Sequence, residues 1–264
     1  MHGWPVSLLH ESAITCCNHL EEARMSDILV IIPAYNEERA IAQVIVGIQN
    51  AMPGRPDILV VNDGSCDETA SRASAAGAVV VSHIRNMGYG VAIQTGYKYA
   101  YSRGYEFVVQ IDGDGQHDPS YISQLLQPVV DGTADLALGS RFLDAGSYRP
   151  SFSRRAGMFF FSFLLSRLIG QAISDPTTGF QAFNAKVVAF FIGDSFPCDY
   201  PDADVLLVLG LSGFSICEVP VRMFARADGK SMHSGMKPLY YVFKMMLSMM
   251  VTLFRSRTEP HPGR

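Results

Sequence analysis

The feature that most restricts the fold of this chain is a repeated junction, in which a short apolar run ends in a cluster of carboxylates or amides. Ile28–Ile32 runs into Pro33-Ala34-Tyr35-Asn36-Glu37, and Ile58–Val61 into Asn62-Asp63-Gly64-Ser65. Ala78–Ser82 leads to Asn86, and Glu106–Ile111 to Asp112-Gly113-Asp114-Gly115-Gln116. Short β-branched runs of this kind suit strands buried on both faces. Segments of helical spacing lie between them. Glu37–Ala51 carries Ile41, Val44, Ile45 and Ile48 and stops at Pro53-Gly54; Asp67–Ala76 and Gly88–Arg103 follow. Such alternation predicts an α/β fold, a mostly parallel sheet with helices on both faces. Ligands then bind beyond the carboxyl ends of the strands, which is where all of these polar clusters fall.

The second half is less regular. Asp118–Val130 and Asp204–Leu211 read as helices, Leu136–Leu138 and Phe214–Val219 as strands. Gly157–Gly170 and Pro238–Phe254 are strongly apolar, but the first is short and the second carries Lys244 in its middle. Both fall below the ~20 apolar residues of a spanning helix and read as buried or interfacial helices. The chain therefore divides into an N-terminal extension (1–26), one α/β domain (27–231) and an amphipathic tail (232–264).

Charge narrows the partners. The net charge of −4 argues against nucleic acid. Yet Pro220–Arg264 holds eight basic and two acidic residues. A basic tail around an apolar stretch suits an anionic membrane surface, each basic side chain contributing roughly 1 kcal/mol there; a solvated helix face is the alternative. The five cysteines are scattered, with no CxxC pair, which fits a reduced cytoplasmic setting. Residues 1–25 include His10, Glu11, His19, Glu21 and Glu22 where a secretory leader needs an apolar run.

Asp112 and Asp114, two residues apart just past a strand, can face one hard cation. Mg2+ or Mn2+ takes oxygen ligands and leaves positions for substrate phosphates. Gly113 and Gly115 allow the turn and a close approach of backbone to a diphosphate; an ordinary Asp/Gly turn is the alternative. Asp63 stands where nucleotide-binding sheets place an acid for a ribose hydroxyl or a base N–H. Ser65 and Asp67 suit a helix-capping role better.

Six motifs then occur in series. They are Ile31-Ile-Pro-Ala-Tyr-Asn-Glu37, Asn62-Asp-Gly-Ser-Cys-Asp67, Asn86-Met-Gly-Tyr-Gly90, Asp112-Gly-Asp-Gly-Gln-His117, Gly139-Ser-Arg-Phe142 and Asp175-Pro-Thr-Thr-Gly-Phe180. In this order the chain resembles the family 2 glycosyltransferases of GT-A fold, in the branch of dolichol-phosphate mannosyltransferases and bacterial polyprenyl-phosphate glycosyltransferases. The resemblance covers residues 27–231 and implies a Rossmann-like sheet. It implies that Pro33, Ala34, Tyr35, Glu37, Asp63, Gly64, Asn86, Gly88 and Gly113 bind a UDP- or GDP-sugar. Asp112 would meet ribose and diphosphate, and Asp112, Asp114 and Gln116 the metal. Arg141 and Arg154 would grip phosphate oxygens, with Arg155 the other candidate for the second place. Asp175 would line the acceptor region as a catalytic carboxylate; a helix-boundary Asp before proline is the alternative. Arg226 and Lys230 would belong to a basic loop closing over the diphosphate, although Met232 stands where many relatives have lysine.

The acceptor sets the mechanism. A hydroxyl needs a general base, for which Asp202 and Asp204 are the candidates, or else these cap the next helix. A polyprenyl phosphate is already ionised and needs none. The basic tail favours that acceptor, met at the cytoplasmic membrane face by docking or through a separate membrane subunit. A glycan acceptor remains, as does an inactive nucleotide-sugar-binding module. A nucleotidyltransferase would carry a basic, glycine-rich loop after its first strand, where this chain has Pro33–Glu37.

Overall fold

The computed structural model describes residues 26–52, 56–143, 152–193 (152–160 through the backbone alone), 196, 203–224, 246–247 and 249–251. Seven strands form one sheet: β1 (Ile28–Ala34), β2 (Asp57–Asn62), β3 (Val79–Ser82), β4 (Phe107–Gln110), β5 (Leu136–Ser140), β6 (Gln181–Asn184) and β7 (Ile216–Pro220). Their order is β3-β2-β1-β4-β6-β5-β7. β1 pairs in parallel with β2 and β4, β2 with β3, and β5 with β7. β6 runs antiparallel between β4 and β5. Every other strand thus points the same way, and the start of β6 lies on the rim where the others end. The loops after β1, β2 and β4, the described residues directly after β5 (141–143) and β7 (221–224), and the turn entering β6 all lie at that rim.

The helices are α1 (Ile41–Ala51), α2 (Thr69–Ala75), α3 (Tyr89–Arg103), α4 (Ile122–Val130), α5 (Phe152–Ile169), α6 (Ala185–Phe191) and α7 (Ala203–Leu211). Strand periodicity divides the core in two. Leu29, Ile31, Leu59 and Val61 pack with α3, α5, α6 and α7 on one face. Val30, Ile32, Val60 and Val109 pack with α1 and α4 on the other. Full burial of such a side chain contributes about 1.5–3 kcal/mol, so exchanging the faces would expose a whole row.

Several expectations shift. β1 continues through Pro33, which pairs with Val61. Ile31 O bonds Ile111 N toward β4, whereas Ala34 O bonds Asp63 N toward β2. Pro33 therefore faces the β4 side, where the ladder has ended at Gln110 and no N–H is required. α1 begins at Ile41 rather than Glu37, because the preceding backbone is held by the loop after β2. Asn36 N bonds Ser65 Oγ at 3.0 Å, Glu37 N bonds Thr69 Oγ1 at 2.9 Å, and Glu38 N bonds Asp67 Oδ2 at 3.2 Å. Ser65 therefore serves this seam, and Asp67 serves both it and Thr69 N at the start of α2. Strand β6 and helix α6 were not expected. Asn184 joins them, its side chain accepting from Lys186 N and Val187 N.

The stretch read from Gly157 lies in the longer helix α5, where Phe161 and Leu165 are buried and Phe163 is exposed. In the tail, Met249 is buried in the core on the α3–α5 face of the sheet and Met246 packs against it, while Leu247, Met250 and Val251 are exposed. Among the described residues no helix is long and apolar enough to cross a membrane. Asp202, Arg226 and Lys230 lie outside the described residues, and Arg154 is described only as part of the α5 backbone.

Candidate active site

The loops after β1, β2 and β3 form one lobe of the rim. Pro33 and Ala34 are buried beneath it, Glu37 is half-buried, and Tyr35 and Asn86 are exposed. Asp63 is buried, and its carboxylate holds the next loop. Oδ1 accepts from His83 Nδ1 at 2.7 Å and Met87 N at 2.8 Å, and Oδ2 from Gly88 N at 2.8 Å. His83 Nε2 reaches Thr95 Oγ1 of α3 at 3.0 Å. Gly64 has φ +69°, and a Cβ there would stand 2.3 Å from the Arg85 carbonyl carbon. The loop carrying Asn86 and Gly88 thus lies directly against the Asp63-Gly64 turn. His83 was not singled out in the sequence, since a lone histidine after an edge strand carries no pattern.

The second lobe centres on Asp112, which is half-buried. Tyr89 O–H donates to its Oδ1 at 3.1 Å, and His117 Nε2 meets Oδ2 at 3.2 Å. Burial works against the charge, but His117, Tyr89 and the nearby Arg141 outweigh it and hold the carboxyl below its ordinary range. Asp114 is half-buried and accepts Gln116 N at 3.0 Å, while Gln116 Nε2 reaches Phe224 O at 3.4 Å. His117 is buried against the Phe180 ring, and among the described residues its Nδ1 has no partner.

This donor set fits a hard divalent ion completed by phosphate. The turn offers two half-buried carboxylates and an amide, and no group of three or more His, Cys, Asp and Glu poised for a metal occurs among the described residues. One or two carboxylates plus substrate phosphates is how Mg2+ is usually held.

Asp175 and Arg141 come together at the end of β5. Arg141 Nε donates to Asp175 Oδ2 and Nη2 to Oδ1, each at 2.6 Å, and Nη2 also reaches Thr177 Oγ1 at 3.0 Å. Asp175 is fully buried, and its backbone N–H, with that of Ser174, donates to Glu218 Oε1 of β7. The two residues expected to meet acceptor and phosphate are thus spent largely on each other. Their pairing depends on β6 lying beside β5, a strand invisible in the sequence reading. Asp204 is buried within α7 and accepts from Val205 N.

The model of glycosyl transferase family 2 matches residues 29–190. The chain belongs to that family. It is 33% identical over 228 residues to a polyprenol monophosphomannose synthase of Mycolicibacterium smegmatis, covering 82% of this chain and 84% of that protein. An undecaprenyl-phosphate mannosyltransferase of Micrococcus luteus is 32% identical over 216 residues, with 79% and 88% covered. Among solved structures, glucosyl-3-phosphoglycerate synthase from Mycobacterium tuberculosis, crystallised with Mn2+ and UDP-glucose, superposes with TM-score 0.62 at 24% identity, covering 96% of this chain and 84% of that one. That likeness is one of fold, GT-A. This family 2 glycosyltransferase therefore carries its six motifs on the rim that the sheet topology selects.

Proposed function

We propose that this glycosyltransferase moves a sugar from a UDP- or GDP-sugar to a polyprenyl phosphate at the cytoplasmic face of a membrane, using Mg2+ or Mn2+. The observation that carries the reading is the pair of half-buried carboxylates, Asp112 and Asp114, on a rim shared with the Asp63–Asn86 lobe. In this reading Pro33, Ala34, Tyr35, Glu37, Asp63, Gly64, Asn86, Gly88 and Gly113 shape the donor cleft, while Asp112, Asp114 and Gln116 hold the ion. A bound divalent ion supplies charge neutralisation for the departing nucleoside diphosphate. An oxygen of the lipid phosphate attacks the anomeric carbon as the bond to the diphosphate breaks, with inversion and no proton to remove. Arg141, set by Asp175, contributes positive charge beside Asp112; Arg154, Arg226 and Lys230 would add phosphate contacts. Asp204, being buried, is poorly situated to act as base for a hydroxyl acceptor, which favours the phosphate.

Two further observations support membrane docking rather than spanning. Phe163 of α5 is exposed, and so are Leu247, Met250 and Val251, spaced as one helical stripe. Co-sedimentation with anionic vesicles should fall when residues 236–264 are removed; equal partitioning would exclude the tail.

The deciding experiment is transfer of labelled sugar, from a panel of UDP- and GDP-sugars with Mg2+ or Mn2+, into organic-extractable polyprenyl phosphate. Label should appear in the organic phase and vanish in Asp114→Ala, whose fold should persist. Metal-dependent release of UDP or GDP without lipid label would replace the acceptor with a hydroxyl and turn attention to Asp202. A near-normal rate in Asp114→Ala would overturn the metal assignment.

A further inference from the structure

Asp112 is held at both carboxylate oxygens, Oδ2 by His117 Nε2 and Oδ1 by Tyr89. Its Oδ1 is the last acceptor in a line of hydrogen bonds that begins in the core. Tyr97 is buried among Phe183, Phe191 and Phe196. Burial pushes its phenol upward, so it remains a donor. Its O–H donates to Gln110 Oε1, which fixes the orientation of that buried amide. Gln110 Nε2 then donates to Gly179 O at 3.2 Å and to the Tyr89 oxygen at 3.0 Å. Because that oxygen already accepts, its own hydrogen is directed to Asp112 Oδ1 at 3.1 Å. The Gln110 amide thus divides its two hydrogens between Gly179 O and Tyr89, and the Tyr89 hydrogen goes to Asp112.

Tyr89 is well placed for such a task. It is the first residue of α3, immediately after Gly88, whose N–H is held by Asp63. Its backbone thus starts from a residue held by the donor lobe and its phenol is met by Gln110 of β4, yet the residue is 39% exposed on the rim. A phenol is a neutral donor. It can steady a carboxylate without cancelling the charge that a cation needs.

We propose that Tyr89 is a positioning residue for Asp112: its hydroxyl, aligned by Gln110, holds one carboxylate oxygen so that the site meets a metal–diphosphate already oriented. The inference rests on the metal-dependent reading above. Preset geometry of this kind raises the rate because the site need not reorganise during the reaction.

The test is Tyr89→Phe, which removes one oxygen from an exposed side chain. Binding of Mn2+, followed by its electron paramagnetic resonance signal in the presence of UDP or GDP, should weaken about three- to tenfold, the scale of the net contribution of one ordinary hydrogen bond. kcat should fall in parallel, with the thermal midpoint of the metal-free protein close to wild type. Gln110→Met should shift Mn2+ binding in the same direction. The double variant should be no weaker than the weaker single, since both act through one line. Wild-type Mn2+ binding and kcat in Tyr89→Phe, or fully additive losses in the double variant, would overturn the inference while leaving the transferase intact. A wild-type protein that binds no Mn2+ with either nucleotide would overturn both readings together.

Discussion

Gly179 lies directly against the carboxylate of Asp112: a Cβ on Gly179 would stand 2.6 Å from Oδ2 and 2.8 Å from Oδ1. The glycine of one motif is thus the space occupied by the acid of another, across the β4–β6 junction. Contacts below 3 Å must relax, and overpacking of this kind costs about 1–3 kcal/mol. The Asp112 side chain is the part able to move. Gly179→Ala should therefore retain its fold and lose about tenfold or more in kcat/KM, a tenfold change being 1.36 kcal/mol. Circular dichroism with steady-state kinetics checks this; an unimpaired rate would show that Asp112 has room to spare.

The Arg141–Asp175 pair predicts the opposite division between stability and rate. Both members are buried and doubly hydrogen-bonded. Removing one leaves an uncompensated charge, typically a loss of ~3–5 kcal/mol. Asp175→Ala should lower the urea midpoint sharply, and Asp175→Ala/Arg141→Met should recover part of it. An unchanged midpoint with lost transfer would instead return Asp175 to a direct role at the acceptor.

These two cases mark what was legible in the sequence. The strands of the first half were visible because Ile28–Ile32 and Ile58–Val61 are dense apolar runs, and the rim residues because each followed such a run. β6 is hidden in the sequence because Gln181-Ala-Phe-Asn184 is short and polar at both ends, its place coming from pairing with β4 and β5 and its burial from the layers above and below. Without β6, nothing in the sequence brings Asp175 to Arg141 or Gly179 to Asp112. Tyr89 and His117 lay within recognised motifs, but their bonds to Asp112 depend on how separate loops fold toward one another.

His83 yields a prediction about donor affinity. It ties Asp63 to Thr95 while Asp63 holds the backbone of Met87 and Gly88. Losing the imidazole frees one end of that clamp, with no donor-contacting group altered. His83→Ala should weaken UDP or GDP binding about three- to tenfold, on the scale of the net contribution of one ordinary hydrogen bond, and raise the donor KM more than it lowers kcat. Titration calorimetry with the bare nucleotide reads the effect. A drop in kcat alone would place His83 with the chemistry instead of the donor loop.

Acid sensitivity should come from carboxylates far from the chemistry as well. Asp135, at the opposite end of β5, accepts from Ser215 N, Ser215 Oγ and Asn184 Nδ2. Burial raises its pKa, but these donors outweigh it and hold the carboxyl below its ordinary 3.8. Asp67 is lowered likewise, with burial opposed by Thr69 and the Glu38 backbone. A carboxyl depressed in the folded state binds fewer protons there than in the unfolded chain, so stability rises with pH across the interval. Its contribution is complete above the unfolded value and disappears as pH falls through the folded one. Urea midpoints should thus be flat near neutrality and decline below about pH 4. Asp135→Asn should be less stable than wild type at pH 7, with a shallower acid decline. Parallel curves for the two proteins would mean that Asp135 is as easily protonated folded as unfolded.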